Sequence, residues 1–202
     1  MSFATIDDLR SQLGSRRSAE SQTAYSEKMV HRVPEAPVVD RSEFLLEQCR
    51  GKRVLELGAS GVLQPKLRAA SLSYLGIDRS EGDEVIAFDL DDVSQPTLPL
   101  FDAEVIVCGE VLEHLSNPGW LLKRIRSQWP TADLVITVPN AFSQIAARQM
   151  AHGIENVNRD HVCWYSFHTL KTLLGRAGYT DLWFGWYNGK PFTAEGLVVV
   201  AK

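Results

Sequence analysis

The sequence predicts an α/β fold, and three observations carry that reading. Short, nearly uninterrupted apolar runs recur from residue 52 onward, separated by turn chemistry. Runs of that texture are buried on both faces, as in a parallel sheet covered by helices. Segments of helical spacing lie between several of the runs, and strand–helix alternation is the pattern of an α/β domain. Near the end, two apolar runs are joined through Asn188-Gly189-Lys190-Pro191. That link is too short for a crossover helix, so these two strands should pair antiparallel.

The elements follow in order. Residues 2–28 are polar, with Ile6, Leu9 and Leu13 at helical spacing, which predicts a short amphipathic helix. Pro34 and Pro37 stop any helix and impose an extended passage. A second helix should begin near Asp40, turn Phe44, Leu45 and Leu46 inward, and close at Gly51. Strands are expected at 53–57, 73–77, 84–87, 104–108 and 133–138, then at 182–187 and 197–201. Helices are expected at 64–70, 111–128 and 167–177. Residues 1–50 therefore read as an N-terminal helical lid or cap, and 51–202 as the core.

Composition narrows the class. At 202 residues and 45% hydrophobic, the chain is long enough to bury a core without a metal or a disulfide. The formal charge of −4 argues against a nucleic-acid platform built on a basic surface. Cys49, Cys108 and Cys163 are odd in number and form no CxxC pair, which points to a reducing, cytoplasmic setting. The first ten residues lack the order of a signal peptide, and no apolar run approaches the roughly 20 residues of a membrane span.

In an open α/β sheet, ligands bind beyond the carboxyl ends of the strands, so the informative residues should follow each strand. The first is followed by Glu56-Leu-Gly-Ala-Ser-Gly61, where Gly58 and Gly61 allow a tight turn and close approach of a ligand. Asp78 ends the second strand, 20 positions after Gly58, and a carboxylate there can accept from both hydroxyls of a ribose. Asp89 follows the third strand, placed to accept from an exocyclic amine.

These segments, with Leu75-Gly-Ile-Asp78 and Glu104-Val-Ile-Val-Cys-Gly-Glu-Val-Leu-Glu-His-Leu115, resemble the class I S-adenosylmethionine-dependent methyltransferases. Asn158-Arg-Asp-His-Val-Cys-Trp-Tyr165, ahead of Arg176-Ala-Gly-Tyr179, is similar to that family's distal region. The likeness runs from about residue 52 to 202. It implies a Rossmann-like, mostly parallel sheet of seven strands with the last one antiparallel and helices on both faces. It also implies S-adenosyl-L-methionine as cofactor. Glu56, Gly58, Ala59, Ser60 and Gly61 would then surround the methionine part and Asp78 would hold the ribose. Asp89 would take the adenine amine, with Arg79 and Leu90 flanking the ring, and Cys108 would lend backbone contacts near the sulfonium. Two departures stand out. Ser60 and Val62 occupy places where the family usually has glycine, and residues 79–83 are too few for the helix usual after the second strand.

Glu110, Glu113 and His114 follow the fourth strand, and on a helix their offsets would place all three on one face. Two carboxylates and an imidazole make an oxygen-rich half-site for Mg²⁺ or Mn²⁺. The stretch is similar to that of metal-assisted O-methyltransferases, the small-RNA 2′-O-methyltransferases among them. Those enzymes also carry a later Asp-His pair resembling Asp160-His161, which adds His161 to the metal set. Without a metal, His161 or His114 would serve as general base. The plain alternative is that the acidic residues complement a helix dipole. His31, His152 and His168 read as surface residues. Asn140, after the fifth strand, is a candidate for the acceptor pocket. The aromatics from Trp183 to Tyr187 suit a core or a partner subunit, which leaves a homodimer open.

The function expected is methyl transfer from S-adenosyl-L-methionine to a hydroxyl or other heteroatom of a small-molecule or glycan-like acceptor. Two alternatives remain at this point. One is an NAD-dependent oxidoreductase, for which Gly58 and Asp78 suit but a full G-x-G-x-x-G is missing. The other is a non-catalytic binding protein that keeps the methyltransferase fold.

Overall fold

Successive side chains of a strand point to opposite faces of its sheet, and here both faces meet apolar layers. The computed structural model describes residues 32–202, so the helix expected around Ile6, Leu9 and Leu13, and His31, lie outside the described residues. Seven strands form one sheet: β1 (Arg53–Leu57), β2 (Ser73–Asp78), β3 (Val85–Ala87), β4 (Val105–Gly109), β5 (Asp133–Pro139), β6 (Leu182–Tyr187) and β7 (Gly196–Ala201). Their order is β3-β2-β1-β4-β5-β7-β6. Neighbours from β3 to β5 are parallel, and β7 runs antiparallel to both β5 and β6. The expected hairpin and reversed last strand are both present.

Leu55, Leu57, Ile106, Cys108, Leu134, Ile136, Leu197 and Val199 enter one layer. It is closed by α3 (Pro118–Gln128) and α5 (Phe167–Ala177), through Leu121, Leu122, Ile125, Leu170 and Leu174. The intervening residues Val54, Val105, Val107, Val135, Val198 and Val200 enter the other. That layer is closed by Leu45 and Cys49 of α1 (Arg41–Cys49) and Leu67 of α2 (Gln64–Ala70). Burying each such aliphatic side chain contributes about 1.5–3 kcal/mol. The continuous apolar runs thus have a double-sided cause.

α1 starts where Asp40 accepts from the Glu43 amide and ends ahead of Gly51, whose φ of 68° suits glycine. The chain before it, from Pro37 to Val39, exchanges backbone hydrogen bonds with Trp186 and so covers the open edge of β6. Residues Glu35–Lys202 form one compact unit. Of the stretch expected as a cap up to residue 50, residues 1–31 lie outside the described residues, while α1 packs on the sheet. Among the described residues, no helix is long and apolar enough to cross a membrane.

The helix expected over 111–128 is corrected. A single 3₁₀ turn spans Leu112–His114, and α3 begins only at Pro118. The break has local causes. Proline drives the residue before it out of helical geometry, and Asn117 instead caps α3 by accepting from the Trp120 amide at 3.2 Å. Asp91 accepts from the Ser116 and Asn117 amides, fixing the turn from outside. A further helix, α4 (Gln144–Met150), was not expected. It buries none of its residues, so it has no apolar stripe to betray it.

Candidate active site

The carboxyl ends of β1, β2 and β4 open into a cavity of about 510 Å³. Of the residues expected around a cofactor, Glu56, Gly58, Ser60, Asp78, Arg79, Asp89 and Leu90 line it. Ala59 and Gly61 do not. Ala59 is buried beneath the loop, whose Gly58 and Ala59 amides donate to the Ile77 carbonyl at 2.8 and 3.0 Å. Cys108 is buried in the apolar layer while its neighbours Val107 and Gly109 line the cavity, so only its backbone is near. No helix separates β2 from β3, and Phe88 joins Leu90 as an apolar wall.

Gly58 is required twice over. Its φ is 73°, and a Cβ there would lie 2.4 Å from Val111 Cγ2. Gly58→Ala is therefore expected to destabilise the chain by about 2 kcal/mol. Thermal unfolding should show a drop of roughly 5 °C, and an unchanged midpoint would refute the fit described.

Glu56 is 5% exposed, and its carboxylate accepts from the Tyr74 hydroxyl. Burial pushes its carboxyl up to about 7, against the pull of the Tyr74 hydrogen bond and the charge of Arg41. Asp78 and Asp89 each accept from a nearby backbone amide, from Arg79 at 2.6 Å and Asp91 at 3.0 Å. A cavity with acid at three successive strand ends and an apolar wall suits a cationic ligand with a ribose and a planar base.

Arg41 belongs to the site although no motif marks it. From the first turn of α1 it reaches over β4 and β5, donating from Nε to Thr137 Oγ1 at 3.1 Å. The same nitrogen lies 4.0 Å from Glu110 Oε1. Tyr187 donates to that Glu110 oxygen at 2.6 Å. Glu110 itself has φ 57°, which swings it away from the turn that follows. This corrects the expectation that Glu110, Glu113 and His114 share one helical face.

The remaining three members of the expected metal set do meet. Ligand atoms of Glu113, His114 and His161 lie within 4.8 Å of one another. The Glu113 carbonyl accepts from the Val162 and Cys163 amides, and the Tyr165 hydroxyl donates to the Leu112 carbonyl. These bonds staple residues 162–165 onto the 3₁₀ turn, which brings the His161 ring to 4.6 Å from that of His114. Glu113 is 1% exposed, and neither carboxylate oxygen has a hydrogen-bond partner. Burial pushes its carboxyl up to about 8, against the pull of its own backbone amide and with the charge of Glu110 adding to the rise. Burial and the neighbouring His114 hold His161 below the usual imidazole range, so it is neutral near pH 7. A buried carboxylate without a donor, facing two imidazoles, fits a divalent cation.

Asn140 has a structural role rather than the pocket role expected. It donates to the Phe192 and Ala194 carbonyls and accepts from the Phe142 amide. Phe184, Trp186 and Tyr187 are buried in the core, as strand aromatics commonly are.

A family model described as a methyltransferase domain matches residues 29–182. No curated protein matches the chain in sequence. Among solved structures, a SAM-dependent methyltransferase from Archaeoglobus fulgidus superposes with a TM-score of 0.59 at 18% identity, covering 80% of this chain and 90% of its own. The small RNA methyltransferase HEN1 gives 0.65 at 15% identity, over 86% of this chain but 27% of HEN1. The N-methyltransferase NodS from Bradyrhizobium japonicum, solved with S-adenosyl-L-homocysteine, gives 0.53 at 18% identity over 80% of this chain and 84% of NodS. At these identities the likeness is one of fold.

Proposed function

Given that this chain belongs to the class I S-adenosylmethionine-dependent methyltransferases, through the domain matched over residues 29–182, we propose a specific use of its cavity. It transfers the methyl group to a hydroxyl or other heteroatom of a small-molecule or glycan-like acceptor. The observation that supports this most is the row of Glu56, Asp78 and Asp89 at successive strand ends around one cavity. Glu56, Gly58 and Ser60 receive the methionine part, Asp78 the ribose hydroxyls and Asp89 the adenine amine. Arg79, Leu90 and Phe88 enclose the ring. The family speaks for this cofactor over a nicotinamide dinucleotide. Three unpaired cysteines fit action in the cytoplasm.

S-adenosyl-L-methionine supplies an electrophilic methyl group, and the chain's task is to align an acceptor against it and exclude water. Arg41 faces the methionine end, and we assign it the carboxylate there. Arg41→Met should raise the KM for S-adenosyl-L-methionine about tenfold, since hydrogen bonds between charged groups commonly contribute that much. Initial-rate kinetics would check it, and an unchanged KM would remove Arg41 from the site.

Glu113, His114 and His161 would hold a divalent cation, which supplies a lowered hydroxyl pKa and a fixed acceptor position. Imidazole pairs better with Mn²⁺ than with Mg²⁺. Without a cation, the ring of His161 or His114 would accept the proton of the acceptor hydroxyl. The test is acceptor-dependent formation of S-adenosyl-L-homocysteine, followed by mass spectrometry against hydroxylated small molecules and oligosaccharides with and without Mn²⁺. Binding of the cofactor without transfer to any of them would favour a non-catalytic binding protein. Failure of the folded chain to bind S-adenosyl-L-homocysteine at millimolar concentration would overturn the reading.

A further inference from the structure

Tyr187 reaches the cavity from the outermost strand, and the sequence clears its path. It ends β6 opposite Gly196 of β7, and Gly196 in turn lies opposite Pro139 at the end of β5. A Cβ at Gly196 would collide with Tyr187 Cζ and with its hydroxyl oxygen. The ring therefore lies across the glycine, in space that any other side chain would fill. Tyr187 is 4% exposed, and its hydroxyl meets two oxygens, Glu110 Oε1 at 2.6 Å and the Val138 carbonyl at 3.4 Å.

Glu110 and Arg41 line the same cavity with opposite charges. Such a pair closes into hydrogen bonds of about 2.7–2.9 Å where nothing prevents it. Here it stays open, with Arg41 Nε 4.0 Å from Glu110 Oε1. Each partner is held by another group. Arg41 Nε donates to Thr137 Oγ1 at 3.1 Å, and the guanidinium lies 5.7 Å from the Tyr187 ring centroid. It also rests against Gly109, where a Cβ would stand 3.3 Å from Nη2. Glu110 Oε1 is taken by the Tyr187 hydroxyl, and the Glu110 amide donates to the Thr137 carbonyl at 2.9 Å while its φ is 57°. A residue other than glycine keeps that conformation only where its surroundings over-determine it.

We infer that Tyr187 is a positioning residue for cofactor binding: by holding Glu110 back, it keeps Arg41 open to the carboxylate of S-adenosyl-L-methionine. The inference rests on the assignment of that carboxylate to Arg41. Without the hydroxyl, Glu110 swings onto the guanidinium, and the cofactor must displace one carboxylate to seat another. The cost falls only on ligands that carry the amino-acid head.

The experiment is calorimetric titration of the full chain with S-adenosyl-L-homocysteine and, separately, with 5′-methylthioadenosine, which keeps the nucleoside and the sulfur but lacks that head. Tyr187→Phe keeps the ring over Gly196. It should weaken S-adenosyl-L-homocysteine about fivefold, the scale of coupling within one hydrogen-bond network, and leave 5′-methylthioadenosine unchanged. Adding Glu110→Gln to Tyr187→Phe should restore the affinity, because the amide carries no charge to close on Arg41. Equal weakening of both ligands, or no rescue by Glu110→Gln, would overturn the positioning role. Should Tyr187→Phe fail to fold, Glu110→Gln alone decides. It should bring no gain, whereas a gain of about fivefold would show Arg41 already occupied in the wild type and overturn the inference. Arg41→Met tells the two readings apart. If it leaves S-adenosyl-L-homocysteine binding unchanged, the assignment of Arg41 falls and this inference with it. If it weakens binding while Tyr187→Phe does not, only the role of the tyrosine falls.

Discussion

Glu113→Gln is expected to lower methyl transfer by about a hundredfold or more and to abolish any dependence on Mn²⁺, while leaving the fold intact. Glutamine has the volume of the glutamate it replaces, and burying a neutral amide costs far less than burying an unpaired carboxylate. The side chain sits 1% exposed with both oxygens unpartnered, so nothing structural depends on its charge. His161→Ala separates the two chemistries that the site allows. If the imidazole acts as the base, kcat should fall by roughly 10²–10⁴ whether or not metal is added, and Glu113→Gln should be mild. If the three side chains hold a cation, both variants should lose activity and both should lose the heat of Mn²⁺ binding in calorimetry. Full activity in both variants would end the case for this cluster in catalysis.

How much of this was legible in the sequence depends on where the determining contacts lie. β1 and α5 are read to the residue because their causes are local. One is an apolar run bounded by charge and glycine. The other is a helix started by the Ser166–Thr169 capping box and stopped by Gly178 at φ 98°. Asp78 and Asp89 are legible by counting strand ends, since a parallel sheet delivers those residues to one side, whereas Glu56 enters through the family resemblance. The stretch from Glu110 to His114 reads as helical because its spacing mimics a helix. The correction hinged on Asn117-Pro118, a signal present in the sequence, and on the positive φ of Glu110, which no residue-type preference announces. Arg41 was invisible for a different reason. Its partner Thr137 is 96 positions away, and only the completed sheet brings the two together. His161 is legible in the sequence only by resemblance, and the backbone bonds that staple residues 162 and 163 to Glu113 bring it to the cluster.

Glu56 should set the balance between stability and cofactor binding. Its folded pKa, about 7, lies above the unfolded value near 4.5, because burial disfavours the charge. The folded chain therefore holds this proton in a window where the unfolded chain has released it. Stability is highest below about pH 4.5 on this account, declines as pH rises toward 7 and levels off beyond it. The loss from Glu56 is on the order of 3 kcal/mol. Glu56→Gln removes it, so the variant should melt above the wild type at pH 8 and near it at pH 5. The Tyr74 hydroxyl can still donate to the glutamine oxygen, which keeps the packing comparable. Cofactor binding should run the other way. An ionised Glu56 attracts the cationic sulfonium and ammonium groups, so wild-type affinity for S-adenosyl-L-methionine should rise with pH through about 7. The variant should bind about tenfold more weakly at pH 8 and show little pH dependence. Melting curves from pH 5 to 8.5, with and without cofactor, read both effects from one set of samples. A variant less stable than the wild type at pH 8 would show that the Glu56 charge supports the fold. A variant that binds cofactor as well as the wild type would place the methionine end away from this carboxylate. The opposite pair, a gain in stability with a loss of affinity, is what a buried acid kept for a cationic ligand requires.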